Sequence, residues 1–141
     1  MNIPEMLVNL IDVFIVIQRF HIKEKLFRVI DEVSESSGME EVKILLANVY
    51  KYDYDSNKIK TRNPSTVYRD RLAQQSGLTP KQIMAEHYFR AMLLEELDKR
   101  NIISTKEVTT FCRSYSRDPN GTAKSMGYDR ERIINDKNVR R

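Results

Sequence analysis

Hydrophobic and polar positions follow two different periods along the chain. In the first half, three runs are rich in β-branched and aliphatic residues, which predicts strands at residues 12–20, 26–33 and 42–50. The first run is apolar at nearly every position, as in a strand that is buried on both faces of an α/β sheet. Between the second and third runs, the polar segment 34–40 contains Gly38, which tolerates a positive φ. We therefore expect a turn there, and an antiparallel hairpin between these two strands.

From residue 65 onward, apolar positions recur every three or four residues, which predicts helices. Ser65 and Thr66 are suited to cap a short first helix that runs to about Ala73 and is closed by Gly77. Thr79 followed by Pro80 predicts the start of a second helix, because Thr is a favoured N-cap and Pro a favoured first residue. The apolar stripe of this second helix is formed by Ile83, Phe89, Met92, Leu93 and Leu97.

A third helix is predicted after Asn101, with Ser104 or Thr105 as its cap and an apolar side formed by Val108, Phe111, Cys112 and Tyr115. It ends before Asp118, and a short helix at residues 122–126 precedes a charged tail. These elements predict an α+β fold, in which a small, mostly antiparallel sheet is followed by a helical C-terminal subdomain. The predicted divisions are a β-rich segment, a basic linker, a helical subdomain and a tail, at residues 1–57, 58–64, 65–134 and 135–141.

The charge of the chain is distributed unevenly. The 141 residues include 24 basic and 20 acidic ones, for a net charge of +4. The first fifty residues are net acidic and the remainder is net basic. Lys and Arg never occur more than two in a row and are mixed with acidic residues, so the pattern favours a solvated protein surface over a nucleic-acid footprint.

The residue types present exclude several kinds of chemistry. One cysteine, Cys112, and two histidines, His21 and His87, exclude a disulfide framework and a Cys/His metal cluster. Cys112 lies on the predicted apolar side of its helix, where we expect an inert, buried thiol. The apolar run at residues 7–17 is shorter than the roughly twenty residues that cross a bilayer, so the default expectation is a cytoplasmic protein. Neither a phosphate-binding loop nor the spacing of a catalytic triad is present.

Two further patterns have a structural and a functional interpretation. Asp53, Asp55 and Asn57 match the start of a calcium loop, but Lys58 and Pro64 stand where that loop requires Gly and Glu, so a solvated turn is favoured. Residues 72–83 have the small residue, turn glycine and returning apolar residue of a helix-turn-helix, so a stand-alone DNA-binding regulator is an alternative function. The helix that follows is about twenty residues long and has few basic residues, which favours packing over DNA recognition.

Short segments in a fixed order carry a resemblance to a known family. In the first half they are MNIP (1–4), LID (10–12), VIQRF (16–20), VIDEV (29–33), GME (38–40) and VYKYD (49–53). In the second half they are Pro64-Ser65, Leu72, Gly77-Leu-Thr79, Ile83, Glu86, Asn101-Ile102, Val108, Tyr115, Asp118-Pro119 and Gly127. Taken together, the chain resembles the C-terminal portion of archaeal GspE-like secretion ATPases, the motors of type IV pili, the archaellum and type II/IV secretion.

This resemblance implies that residues 1–57 form the end of a RecA-like ATPase domain. The whole motor of such a family is a cytoplasmic hexamer that hydrolyses ATP with Mg²⁺ and pushes on a membrane platform protein at the inner face of the membrane. The Walker A loop, acidic box, Walker B segment and His box of the family are not among these 141 residues. ATP and Mg²⁺ are therefore expected to bind elsewhere in a parent ATPase, with no cofactor, metal or catalytic residue in this chain. A catalytically empty adaptor of the motor is a further alternative.

The resemblance also suggests candidate site residues. Gln18 and Arg19 at the end of the first strand, with Arg28 on the next, are candidates for a place near the nucleotide or at a subunit boundary; hairpin surface charges are the alternative. The candidates for docking a partner are Arg69, Arg71, Lys81 and Arg90. The implied partners are the remainder of the ATPase, its neighbouring subunits and the platform protein, with neither nucleic acid nor membrane insertion expected.

The apolar first strand supports a larger assembly independently of the resemblance. Residues 13–17 require strand neighbours and cover on both faces, yet only two more strands are predicted after them. The edge of the first strand would then be open, which invites association. The apolar first strand could be covered by the helices, by another chain or by further residues of a longer polypeptide.

Overall fold

The computed structural model describes residues 10–22, 24–40 and 43–135. These residues form a four-stranded antiparallel sheet followed by five helices, which confirms the predicted α+β class. The chain divides into two compact units, residues 1–72 and 73–141. We refer to them as the sheet unit and the helical unit.

The strands follow one another in the sheet in chain order. They are β1 (Val13–Ile22), β2 (Lys25–Glu40), β3 (Lys43–Asp53) and β4 (Lys58–Thr61), and each is antiparallel to the next. The predicted hairpin between the second and third strands is confirmed as the β2–β3 pair. Of the strands that the structure describes, β1 and β4 form the two edges of the sheet.

The position of β1 corrects the prediction of a strand that is buried on both faces. The side chains of Ile15, Val16 and Ile17 are 57%, 45% and 66% exposed. Among the residues that the structure describes, only β2 pairs with β1. The apolar composition therefore predicted the strand correctly but not its burial, because burial depends on neighbours that the pattern of one strand does not place.

The predicted turn at residues 34–40 is wrong, because β2 continues through it. Ser34, Glu35 and Ser36 are buried and pair with β3. Gly38 has a φ of +120°, and the ladder shifts register between Ser36 and Gly38. The positive φ of this glycine serves a β-bulge instead of a turn.

The predicted linker at residues 58–64 begins with a strand. β4 pairs with the end of β3, from Tyr50 opposite Thr61 to Asp53 opposite Lys58. Asn57 has a φ of +52°, a left-handed conformation that Asn tolerates and that lets the chain reverse. Lys58–Thr61 has only four residues, all exposed, and it lacks the apolar run that predicts a strand.

The helices are α1 (Val67–Ser76), α2 (Pro80–Lys99), α3 (Thr105–Arg117), α4 (Pro119–Ser125) and α5 (Arg130–Asn135). The predicted start of α2 is confirmed, since Thr79 accepts a hydrogen bond from the backbone N–H of Gln82 at 3.2 Å and its own N–H donates to Gln82 Oε1 at 2.9 Å. Ser104 caps α3 in the same way, accepting from the N–H of Glu107 at 3.3 Å. α4 begins at Pro119 instead of residue 122, and α5 is a further helix near the end of the predicted helical subdomain.

The helical unit has a small core built from three of its helices. Phe89 and Leu93 of α2 are buried against Tyr115 of α3 and Ala123 of α4. Cys112 is exposed, which corrects the prediction of a buried thiol. Since Phe111 and Tyr115 already cover the inner side of α3, the next residue, Cys112, is turned about 100° away around the helix.

Candidate functional site

Two of the predicted site residues, Arg19 and Arg28, lie directly opposite each other in the sheet unit. They are cross-strand partners in the β1–β2 ladder, and both side chains are exposed. Directly opposite residues have Cβ atoms about 5 Å apart on the same face of the sheet, and like charges placed this way destabilise the strand pair. Within residues 10–22, 24–40 and 43–135, no carboxylate forms an ion pair with either guanidinium.

Apolar side chains flank this pair of arginines on the same face. Ile17 is opposite Ile30 on one side of the pair, and His21 is opposite Leu26 on the other. Ile17, Ile30 and Leu26 are 66%, 40% and 45% exposed. We call this surface the arginine face; it comprises Ile17, Arg19, His21, Leu26, Arg28 and Ile30.

The third predicted residue, Gln18, points to the opposite face of the sheet. Successive side chains alternate between the two faces of a strand, so Gln18 is separated from Arg19 by the sheet itself. Its Oε1 lies 2.7 Å from the hydroxyl of Tyr54, whose ring also contacts Phe20 on the same face. The structure therefore brings Arg19 and Arg28 together and places Gln18 in a different environment.

The environment of Gln18 is a polar network that joins three strands. The Tyr54 hydroxyl lies 2.8 Å from Asp31 Oδ1, and Lys51 Nζ lies 2.8 Å from Asp31 Oδ2 and 3.3 Å from Glu32 Oε2. Hydrogen bonds from Lys51 and Tyr54 lower the pKa of Asp31, and the bond to Asp31 raises the pKa of Lys51. The network thus keeps its ion pair charged near neutral pH. Its residues are far apart in sequence, so nothing in the sequence pattern predicted it.

Replacing Lys51 by Met is expected to raise the pKa of Asp31, because the strongest interaction that favours its charged form is lost. A lowered carboxyl pKa adds stability above the unfolded value, 3.8 here, and this stability is lost as the pH falls through the folded value. The variant should therefore show a weaker loss of stability on acidification. The direct measurement is an NMR titration of the Asp31 carboxyl carbon, with Lys43→Met at an exposed site on the same strand as the control; an unchanged titration of Asp31 would contradict the network.

The predicted docking residues Arg69, Arg71 and Arg90 form ion pairs within the chain. In the sheet unit, Arg69 pairs with Asp70 at 2.7 Å and Arg71 pairs with Asp12. In the helical unit, Arg90 pairs with Glu86 at 2.7 Å, and Lys81 is exposed on the first turn of α2. Their charges therefore have internal structural roles, which sequence reasoning did not anticipate.

Glu86 lies at the centre of a polar cluster in the helical unit. It is 5% exposed, and its Oε1 accepts hydrogen bonds from Arg90 at 2.7 Å and from the Tyr115 hydroxyl at 2.8 Å. Its Oε2 accepts from Arg130 Nε at 2.9 Å. Burial alone raises the pKa of Glu86, but the hydrogen bonds from Arg90 and Tyr115 and the charges of Arg130 and Arg90 outweigh it, so the pKa is lowered. One carboxylate thereby joins α2 to α3 and α5.

A concavity in the helical unit adjoins this cluster. It has a volume of about 530 Å³, and its lining includes Asn120, Lys124, Tyr128 and Arg130. Asn120 accepts from Arg130 at 3.0 Å and donates to Glu131 at 2.8 Å. Asn120, Arg130 and Glu131 are thus paired with one another, and through Arg130 they extend the Glu86 cluster.

One side of the helix-turn-helix candidate and the residues of the calcium-loop candidate form contacts within their own units. On α2, Ile83, Glu86 and Phe89 are buried, so one side of the first turns of this helix packs inside the helical unit. Asp53 pairs with Lys60 and accepts a hydrogen bond from Ser56, and these contacts lower its pKa to about 2. In the part of the chain that the structure describes, no three His, Cys, Asp or Glu side chains are grouped as metal ligands.

Neither a family model nor a curated protein sequence matches this chain. The resemblance to secretion ATPases therefore rests on the order and spacing of the short segments quoted above. Among the described helices, none combines the length and apolar character that a membrane span requires.

Proposed function

We propose that this chain is the C-terminal part of a hexameric GspE-like motor ATPase of a type IV pilus, an archaellum or a related secretion system. In this proposal the nucleotide and Mg²⁺ bind to other parts of the parent ATPase. This chain contributes the end of the ATPase core sheet, contacts between subunits and docking to a membrane platform protein at the inner face of the membrane.

The observation that supports the proposal is the apolar edge of β1, which is open among the strands that the structure describes. The N–H of Ser36 donates to the C=O of Asp12 at 2.9 Å, which makes these two residues a hydrogen-bonded pair at the start of the ladder. Because such pairs alternate along antiparallel strands, the backbone groups of Val13 and Ile15 are directed away from β2. An exposed apolar edge of this kind is an aggregation hazard unless another strand covers it. A core strand of the parent ATPase is the cover that the resemblance implies.

The sheet unit is suited to transmit movement from such a core. The contacts of Asp31 with Lys51 and Tyr54 tie β2 to β3 and to the turn after it. Tyr54 also contacts Gln18 on β1. A displacement of β1 by ATP-driven motion of its neighbour would therefore be passed across the sheet to the residues that precede α1.

An immunoblot of source cells with an antibody against residues 65–134 tests the proposal directly. We expect a band several-fold heavier than 16.6 kDa, and ATPase activity in the polypeptide purified from that band. A single band at 16.6 kDa would contradict the proposal and would favour a separate adaptor or DNA-binding role.

A backbone substitution in the parent polypeptide tests the role of the β1 edge. Ile15→Pro removes an N–H that is directed away from β2, so it spares the β1–β2 ladder but blocks pairing with a further strand. We expect loss of folded, hexameric ATPase, whereas Ile15→Thr, which keeps the N–H and a β-branched side chain, should assemble normally. Normal assembly of the Pro variant would show that β1 is not paired on its open side.

A further inference from the structure

We infer that the arginine face binds a polypeptide segment that presents a carboxylate between aliphatic side chains. The juxtaposition that carries this inference is two exposed arginines opposite each other on β1 and β2, with exposed Ile17, Ile30 and Leu26 beside them. This assignment rests on the proposed function in one respect, namely that the segment belongs to another subunit of the same motor.

The pair of arginines defines the charged part of the partner. Arg19 and Arg28 have no carboxylate partner among the residues that the structure describes, and their mutual repulsion lowers the stability of the hairpin. A carboxylate placed between two guanidinium groups removes this repulsion and accepts charge-assisted hydrogen bonds from both. Relief of the repulsion between the two arginines therefore contributes to the free energy of binding.

The aliphatic flanks define the rest of the partner. Ile17 and Ile30 form one exposed apolar pair, and Leu26 lies on the other side of the arginines. Cover of these side chains by an apolar segment excludes water from the ion pair and strengthens it. The face contains no Phe, Tyr or Trp on which a nucleic-acid base would stack, so a protein segment fits it better than a single strand of nucleic acid.

An NMR titration of the ¹⁵N-labelled 141-residue chain tests this assignment. The probe is a capped peptide with one Glu between two Val residues on each side, and the matched peptide has Gln in place of Glu. We expect amide shifts that cluster at residues 17–21 and 26–30, and binding roughly tenfold weaker for the Gln peptide, since hydrogen bonds to a charged group are lost. The double variant Arg19→Gln/Arg28→Gln should weaken binding of the Glu peptide by a similar factor.

The matched control is Arg113→Gln/Arg117→Gln, which removes the same charge from exposed positions on α3. It should bind the Glu peptide as the unaltered chain does. Equal binding of the two peptides, scattered shifts, or the same loss in the control would overturn the assignment. Inorganic phosphate is titrated separately, and phosphate binding at Arg19 and Arg28 without peptide binding would overturn it in favour of a simple anion site. Because the titration needs no parent ATPase, failure here leaves the immunoblot result intact, and the reverse also holds.

Discussion

Replacing Glu86 by Ala is expected to destabilise the helical unit by about 3 to 5 kcal/mol, the cost of removing one partner from a buried ion pair. Its carboxylate accepts hydrogen bonds from Arg90, Tyr115 and Arg130, and the Tyr115 hydroxyl and the Arg130 guanidinium are themselves largely buried. After the substitution, all three donors lose their shared acceptor, and the Tyr115 hydroxyl and the Arg130 guanidinium remain largely shielded from water. Urea unfolding of the full chain, followed by near-UV absorption of the tyrosines, measures the effect.

Glu95→Ala is the matched control, because Glu95 is exposed on the same helix and has the same side chain. A surface substitution of this kind is expected to change the free energy of unfolding by no more than about 0.5 kcal/mol. Equal effects of the two substitutions would mean that the Glu86 cluster does not hold α2, α3 and α5 together.

The pH dependence of stability gives an independent readout of the same residue. The pKa of Glu86 is lowered below 4.5 in the folded chain, so its contribution is present above 4.5 and is lost as the pH falls through the folded pKa. Glu86→Gln should remove this acid-dependent part while keeping most of the side-chain volume. If the stability of the Gln variant fell with acidification as steeply as that of the unaltered chain, the acid-dependent loss would come from other carboxyl groups.

The sequence predicted those parts of the fold that depend on local signals. Thr79-Pro80 and Ser104 predicted two helix starts correctly, because capping is decided within a few residues. The stripe on α2 was also correct in that Ile83, Phe89, Leu93 and Leu97 are all buried. The 3.6-residue period of a helix fixes which side chains share a face, whatever the helix packs against.

Features that depend on distant partners were not predicted. The segment 34–40 has the composition of a turn, yet pairing with β3 extends β2 through it. The register shift between Ser36 and Gly38 forms a β-bulge, in which Gly38 adopts a positive φ. For the candidate site, the sequence identified Arg19 and Arg28, but their direct opposition depends on a register that shifts at Val16/Ile17. Such a shift moves the side chains that follow it to the other face of the sheet. Alternation counted from the start of the strand therefore could not predict on which face Arg19 lies.

The burial of two carboxylates was also not predicted from the sequence. Glu35 and Glu86 are 4% and 5% exposed, although Glu is a residue type that is almost never fully buried unless it is paired. Their partners come from other elements of the same unit, so a single-sequence pattern carries no sign of them. In both units, one such carboxylate satisfies donors at a junction between elements, where apolar packing alone would leave those donors unpaired.

Replacing Glu35 by Ala is accordingly expected to destabilise the sheet unit by roughly 2 to 4 kcal/mol, since several donors lose one buried acceptor. Glu35 on β2 accepts from the Ser65 hydroxyl and from the backbone N–H groups of Thr66 and Tyr68, at 3.2 Å and 3.3 Å for the two amides. These amides lie at the start of α1, where N–H groups have no partner within the helix. A negative charge is also favourable there, because of the helix dipole. The sheet therefore supplies the cap of α1, and Ser65, expected from the sequence to be a cap, donates to this carboxylate.

Hydrogen exchange of the amides at residues 67–76, together with urea unfolding of the full chain, distinguishes loss of this cap from general destabilisation. In Glu35→Ala, protection of α1 should fall by more than protection of β2 and β3, because the helix start loses its acceptor while the ladder hydrogen bonds remain. Glu40→Ala, at an exposed position on the same strand, is the control and should leave α1 unchanged. Unchanged protection of α1 in the Glu35 variant would show that other contacts fix the start of the helix and that the buried carboxylate is dispensable to it.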